Sequence, residues 1–389
     1  MKKTTDDIIL PEIGKSIVLY EKTAMISPQQ AIELYQTDDL ADLARRAAEV
    51  AHRLHGSAVR TYVIERNINY TNICRTRCRF CAFSVSPGDE QAYVLTDEQI
   101  AAKIEPLMAL GGTQILLQGG CHPDLPFSFY EQMLDNIKQR FPRLHIHGFS
   151  PPEIAFFSEK FEMTIPQVIQ RLRAAGLDTI PGGGAEILVD RVRRLISPAK
   201  CSADQWLDVM RQAHRLGMYT TCTMMFGHVE TLAERIEHLE RLRSLQAESC
   251  TNRQSNPEAG HFTAFTCWPF QPGNTRLARS GHYDPAADAD RRCEQLHLAG
   301  AFEQLKMTAL ARIYLDNIPN HQASWVTQGP KIGQLSLLAG CNDFGSLMME
   351  ENVVAAAGAA YQLQLDQLRR LIRSVGFEPV QRDCYYHRI

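Results

Sequence analysis

Between residues 60 and 270 the chain repeats one grammar, and that repetition constrains the fold more than any other feature of the sequence. An apolar, β-branched run is followed by a polar loop, a stretch of helical period, a glycine and then the next apolar run. Residues 61–64, 114–117, 144–149, 177–180, 218–225 and 262–268 read as successive strands. The intervening helices have legible ends. Thr96-Asp97-Glu98-Gln99, Ser202-Ala203-Asp204-Gln205 and Thr231-Leu232-Ala233-Glu234 fit the capping box, in which hydroxyl and carboxyl or amide satisfy orphan N–H groups reciprocally. Tyr130, Met133, Leu134 and Ile137 fall at i, i+3, i+4 and i+7, one helical face. Gly111, Gly176 and Gly217 stop helices where a left-handed residue is needed. Strands alternating with helices require a parallel sheet with right-handed crossovers. The expected fold is therefore α/β, a TIM-type (β/α) barrel, partial or complete.

The flanks complete this organisation. Length alone suits two or three domains, but one extended barrel can occupy all 389 residues. Residues 1–59 read as an N-terminal helical extension, with helix formers concentrated at 41–54. Residues 60–285 form the barrel core. Residues 286–389 are a mostly helical C-terminal segment that completes the barrel and the substrate site, with a possible seventh strand and its loop at 317–329. Residues 249–260 are polar and breaker-rich and read as a surface loop. The net charge of −3 gives no global field for nucleic acid or anionic lipid. No apolar run reaches the ~20 residues that span a bilayer, and the N-terminus lacks the apolar core of a signal peptide. The expected setting is cytoplasmic, without nucleic-acid or membrane partners. In that reducing setting the eleven cysteines are not a disulfide framework. Cys201, Cys222, Cys250, Cys267, Cys293 and Cys384 read as small hydrophobes or surface thiols.

Cys74, Cys78 and Cys81 differ, because their C-x3-C-x2-C spacing is that of ligands and they directly follow the first strand. Catalytic groups of barrels sit on loops at the C-terminal ends of strands. Three thiolates this close can bind three corners of an iron–sulfur cubane, whereas an electron-transfer [4Fe–4S] site takes four. The missing ligand leaves one iron open to a small molecule. Arg75, Arg77 and Arg79 are placed to lower the thiol pKa values and offset the cluster's charge. A zinc site with Cys121 or His122 as fourth ligand is the competing reading, and it makes the chain a non-catalytic metal protein.

The segment resembles the radical S-adenosylmethionine (SAM) superfamily, whose signature C-x3-C-x-aromatic-C has Phe80 at its aromatic position. The resemblance implies a partial or full (β/α) barrel and a [4Fe–4S] cluster whose open iron is chelated by SAM. It also implies reductive cleavage of SAM to a 5′-deoxyadenosyl radical, with electrons from an external donor such as flavodoxin or ferredoxin. Residues 66–71 with Cys81-Ala82-Phe83 look like the branch that makes futalosine-pathway intermediates and the deazaflavin chromophore. Residues 115–120, 149–154, 180–188, 224–231, 322–329 and 350–358 look like the dehypoxanthine futalosine cyclases of menaquinone biosynthesis. For that family the implied reaction is hydrogen abstraction from the substrate ribose, attack on the benzoate ring, and loss of an electron and a proton. The sister activities, aminofutalosine synthase and the deazaflavin-forming enzyme, share the cluster and barrel and remain the alternative.

Further site residues follow from the resemblance and from residue chemistry. Gln118-Gly119-Gly120 ends the second strand where the superfamily meets the amino group of SAM, although Cys121 stands where an acidic residue is usual. Glu186, after a glycine turn, suits the SAM ribose diol, and Lys200 suits its carboxylate. Glu153 is a candidate for SAM or substrate. Glu230 resembles the superfamily's acidic residue near adenine, and His228 suits proton transfer. Asn317, Asn320, Gln322, Ser324 and Trp325 are candidate substrate contacts, Trp325 for the benzoate ring. Asn342 suits ribose hydroxyls, and Asp343 suits removal of the final proton.

Overall fold

A computed structural model describes residues 25–279, 296–359 and 361–389. The 285/286 boundary and Cys293 lie outside the described residues. Nine strands occur among them: β1 Val59–Val63, β2 Glu65–Asn69, β3 Gln114–Gln118, β4 His145–Gly148, β5 Thr220–Phe226, β6 Phe262–Pro269, β7 Asn320–Gln322, β8 Asp343–Ser346 and β9 Glu378–Gln381. One sheet runs β5-β6-β7-β8-β1-β9 and the other β2-β3-β4. Every strand pairing is parallel. Two bridges join the sheets, His147 to Thr179 and Ile180 to Thr220, and β2 continues β1 past Ile64. The result is a closed parallel ring with helices around it, the TIM-type barrel expected from the β/α alternation.

The local signals hold. All three capping boxes form. Tyr130, Met133, Leu134 and Ile137 are the buried stripe of the helix Phe127–Arg140. Gly111, Gly176 and Gly217 take φ of 81°, 116° and 81°. The fourth strand shrinks to its two bridges because Pro181 follows at once and has no N–H for a ladder.

Three features differ from the sequence reading. Residues 249–255 are the end of the long helix Leu232–Ser255, not loop. Their polar side chains are absorbed by the helix and its neighbours: Ser249 Oγ donates to the Leu245 carbonyl and meets His214 Nδ1, and Thr251 donates to the Ala247 carbonyl. Within 317–329 the strand covers Asn320–Gln322 and a short helix, Trp325–Gln328, follows. β8 and β9 are additional strands, as is β2, which lies between the expected first strand and the cysteine triplet. DFGS and EPVQ carry too few β-branched residues to announce themselves.

No helix among the described residues is long and apolar enough to cross a membrane. The helix Leu40–His55 packs with Ala301–Tyr314 through Leu43, Ala47, Leu305 and Ala309. The chain ends beneath the ring, where Arg382, Cys384 and Tyr385 contact Asp343, Thr179 and His145.

Candidate functional site

At the C-terminal mouth of the ring, the loop after β2 and the ends of β3 and β4 enclose a cavity of about 190 Å³, far more than one water needs. Cys74, Cys78, Cys81, Phe80, Gln118, Gly119, Gly120, Glu153 and Lys200 all line it. Residues 37 or more positions downstream of Cys81 are thus gathered around the triplet.

The cysteine loop is held tightly. Leu95 N donates to Tyr70 O, Val85 N to Asn72 O, and Asn72 Oδ1 accepts from Tyr93 N. Gly120 allows β3 to end directly against this loop, since a Cβ there would meet Ile73 O at 2.1 Å. The close approach at Gly119 and Gly120 is therefore to protein, with a Cβ at Gly119 running into the Tyr70 ring. Cys121 N consequently donates to Cys74 Sγ at 3.4 Å, and Thr76 Oγ1 lies 2.9 Å from the same sulfur. These bonds, the Cys121 thiol's foremost, bring the Cys74 thiol down to about 5 against the opposing effect of burial. Burial pushes Cys78 up to about 11, with Lys200 opposing it.

That electrostatic role belongs to Lys200 rather than to the arginines of the triplet. Arg75 turns to Glu159 at 3.5 Å, Arg77 bonds Ser86, and Arg79 offers its backbone to Ile196 and Leu277. The thiols turn inward, so their immediate neighbours point outward. Lys200 Nζ lies 4.9 Å from the Phe80 ring and donates to Glu186 Oε1 at 3.0 Å. Glu186 is buried, with Arg193 3.7 Å from its other oxygen, Oε2, which accepts no hydrogen bond. An unsatisfied buried carboxylate oxygen behind a cavity-lining ammonium fits a ligand that brings hydrogen-bond donors.

Glu153 has a different arrangement. Its Oε1 accepts from Tyr70 Oη at 2.8 Å and Gly119 N at 3.0 Å, and its Oε2 from Ser150 N at 2.8 Å and Ser150 Oγ at 2.6 Å. Burial raises its pKa while these donors lower it. With its acceptor sites occupied, the carboxylate fixes the cavity wall. Tyr70 extends that wall into an aromatic cluster, with Tyr130 and Phe149 centroids 5.9 and 5.8 Å away.

Other candidates lie elsewhere. His228 is fully buried, with Nε2 3.0 Å from Met225 O and Nδ1 2.9 Å from Glu230. Glu230 also accepts from Gly227 N and Arg235 Nε. Burial alone would raise Glu230, but His228 and Arg235 outweigh it and hold the carboxyl well below its ordinary range. The pair latches the turn after β5, and neither residue lines the cavity. Asn320 Nδ2 donates to Thr263 O, and Asn342 joins Asn320 Oδ1 to His321 N. Asn317 Nδ2 donates to Arg243 O. These three and Asp343 precede or begin β7 and β8, at the end of the ring opposite the mouth. Trp325 is buried and its indole donates to Ser346 O at 2.9 Å; Ser324 meets Thr327. Gln322, half-buried, is the last residue of β7 and the register partner of Asp343.

Among the described residues no three His, Cys, Asp or Glu side chains converge as the ligands of a single ion would. A cubane asks for less convergence, because each thiolate takes a separate iron. His122 Nδ1, offered by the zinc reading, instead accepts from Asp124 N and Leu125 N at 3.1 and 3.4 Å. Sequence reasoning missed Tyr70, Thr76 and Asn72; the polar alternation in residues 67–72 was the available signal for Tyr70 and Asn72.

Comparison with known proteins gives two family matches, the radical SAM superfamily over residues 68–242 and the CofH/MqnC C-terminal region over 259–389. The cyclic dehypoxanthine futalosine synthase of Halalkalibacterium halodurans is 42% identical over 362 residues, 93% of this chain and 90% of that protein. The 5-amino-6-(D-ribitylamino)uracil–L-tyrosine 4-hydroxyphenyl transferase of Methanopyrus kandleri is 37% identical over 392 residues, 99% of this chain and 98% of that protein. Among solved structures, methylornithine synthase (PylB) matches with a TM-score of 0.66 at 17% identity, covering 95% of this chain and 97% of the other. At that identity the likeness speaks for the fold.

Proposed function

Because the chain belongs to the radical SAM superfamily, we propose that it cyclises dehypoxanthine futalosine to cyclic dehypoxanthine futalosine, a step of menaquinone biosynthesis. The observation that carries this reading is the 42% identity, over nearly the whole chain, to a cyclic dehypoxanthine futalosine synthase. The cavity supports it: three thiols and an ammonium share one pocket at the catalytic end of a barrel.

In this reading Cys74, Cys78 and Cys81 hold a [4Fe–4S] cluster. With SAM bound, that centre supplies the 5′-deoxyadenosyl radical when an external reductant such as flavodoxin or ferredoxin donates an electron. Lys200 attracts the carboxylate of SAM, and Glu186 with its free oxygen accepts from SAM hydroxyls. Glu153 acts through Gly119 and Tyr70 by holding the wall in place. The loop across 70–96 and Val353 cover the pocket and exclude water from a reactive radical.

A second reading, the sister transferase, is favoured by the 37% identity to the Methanopyrus protein. Anaerobically reconstituted enzyme given SAM, reductant and dehypoxanthine futalosine decides between them. The cyclase forms 5′-deoxyadenosine, methionine and the cyclic product. Product only from tyrosine and 5-amino-6-(D-ribitylamino)uracil assigns the sister activity instead.

A further inference from the structure

Below the cysteine cavity the inner wall of the ring is polar and partly open. Asn69 and Gln118 line the cavity, and Asn67 and Leu116 share their faces two residues, or about 7 Å, further down. Glu65 accepts from Gln114, its register partner on β3, on the face of Asn67. Arg66, between Glu65 and Asn67, turns out to the Lys103 carbonyl of the helix Asp97–Ala109, so the Asn67 face is the inner one. Leu116, Thr266 and Gln322 are half-buried, although they sit inside a closed ring. Side chains in a filled barrel interior are sealed by their neighbours; these are not.

Among the described residues, two side chains facing this space lack partners. Asn67 is 4% exposed, yet its Oδ1 is unsatisfied and its amide bonds no other described residue. An orphaned buried amide has lost its water without gaining a partner, so it needs an explanation. The second is Trp268. Its neighbour Cys267 points out toward Thr308 on the surrounding helix Ala301–Tyr314, so pleat alternation turns Trp268 inward. The other two tryptophans of the chain are satisfied: Trp206 donates to Gly183 O and stacks on Phe262, and Trp325 donates to Ser346 O. Trp268 is half-buried and, among the described residues, has neither a hydrogen-bond partner nor a ring contact.

We infer that, in the chamber this lumen forms, Trp268 is the platform for the substrate's aryl ring and Asn67 hydrogen-bonds its polar portion. The ligand class is a polar molecule carrying an aromatic ring. The inference rests on the cyclase reading for the identity of that ligand, and it moves the ring contact from Trp325 to Trp268. Gln322 contributes a second amide from β7, which β8 separates from the β1/β2 position of the ring.

The test is calorimetric binding of substrate to reconstituted, unreduced enzyme with SAM present, for wild type, Trp268→Ala and Asn67→Leu. The substrate is whichever set the wild type turns over, dehypoxanthine futalosine or tyrosine with ribitylaminouracil. Each variant is expected to weaken substrate binding at least tenfold, with iron content and SAM affinity unchanged. Asn67→Leu should keep or raise Tm, because it removes an unsatisfied buried amide; a structural role for Asn67 predicts a fall. Substrate Kd within twofold of wild type in both variants overturns the chamber, even if the wild type cyclises. Weakened binding of tyrosine and ribitylaminouracil in an enzyme inert toward dehypoxanthine futalosine supports the chamber and overturns the cyclase reading.

Discussion

Arg382 grips Asp343 bidentately, Nε to Oδ2 at 2.6 Å and Nη2 to Oδ1 at 3.1 Å, so the C-terminal tail is bolted to the first residue of β8. Thr61 Oγ1 and Gly345 N donate to the same carboxylate, and both charged groups are buried. Removing one partner of such a pair leaves an uncompensated buried charge. Asp343→Asn should therefore cost about 3–5 kcal/mol of stability, read from urea unfolding. Turnover per folded molecule should stay within a few-fold of wild type. A stable Asp343→Asn enzyme with turnover reduced by orders of magnitude would instead make Asp343 the proton acceptor.

The triplet and its neighbours should separate cleanly. Cys74→Ser, Cys78→Ser or Cys81→Ser is expected to lose the cluster, measured as iron and sulfide per chain after reconstitution. Cys121→Ala and His122→Ala should keep it: alanine removes the thiol beside Cys74 but retains the backbone N–H that donates to its sulfur, and the triplet supplies all three ligands. Loss of iron in Cys121→Ala would restore the four-ligand reading.

Glu153 offers a test of positioning. A glutamine there has one acceptor oxygen for four donors. Glu153→Gln should destabilise the fold by about 1–3 kcal/mol and raise the KM for SAM, through a displaced Gly119. An unchanged Tm together with a lost kcat would point to direct contact with the reacting groups.

Acid sensitivity follows from three buried histidines. Burial holds His147, His214 and His238 down at about 3. In the unfolded chain they take a proton near pH 6.5, so below that the unfolded state binds more protons. Their contribution is thus intact above pH 6.5 and is lost as pH falls toward 3. At pH 5.5 each forfeits on the order of 1 kcal/mol relative to neutral pH. Thermal unfolding should show Tm falling steadily from pH 6.5 to 5; a flat profile would contradict the burial of these rings.

What the sequence determined was local. Capping boxes link residues three apart, glycine stops act on one φ angle, and the triplet spans eight residues, so each was legible without knowing what lay across the barrel. The β/α alternation was likewise legible, since each strand and its helix are neighbours in the chain. Tertiary structure decided which groups meet. Both faces of a parallel strand are buried, so hydrophobic pattern cannot say whether a side chain faces the lumen or the surrounding helices. That is why nothing in the pattern of β6 marked Trp268 as facing the lumen, and why Asp343, at the start of β8, read as a base although Arg382, 39 residues later, occupies it. It is also why the cation beside the thiols is Lys200, more than a hundred residues downstream, and not the three arginines between them.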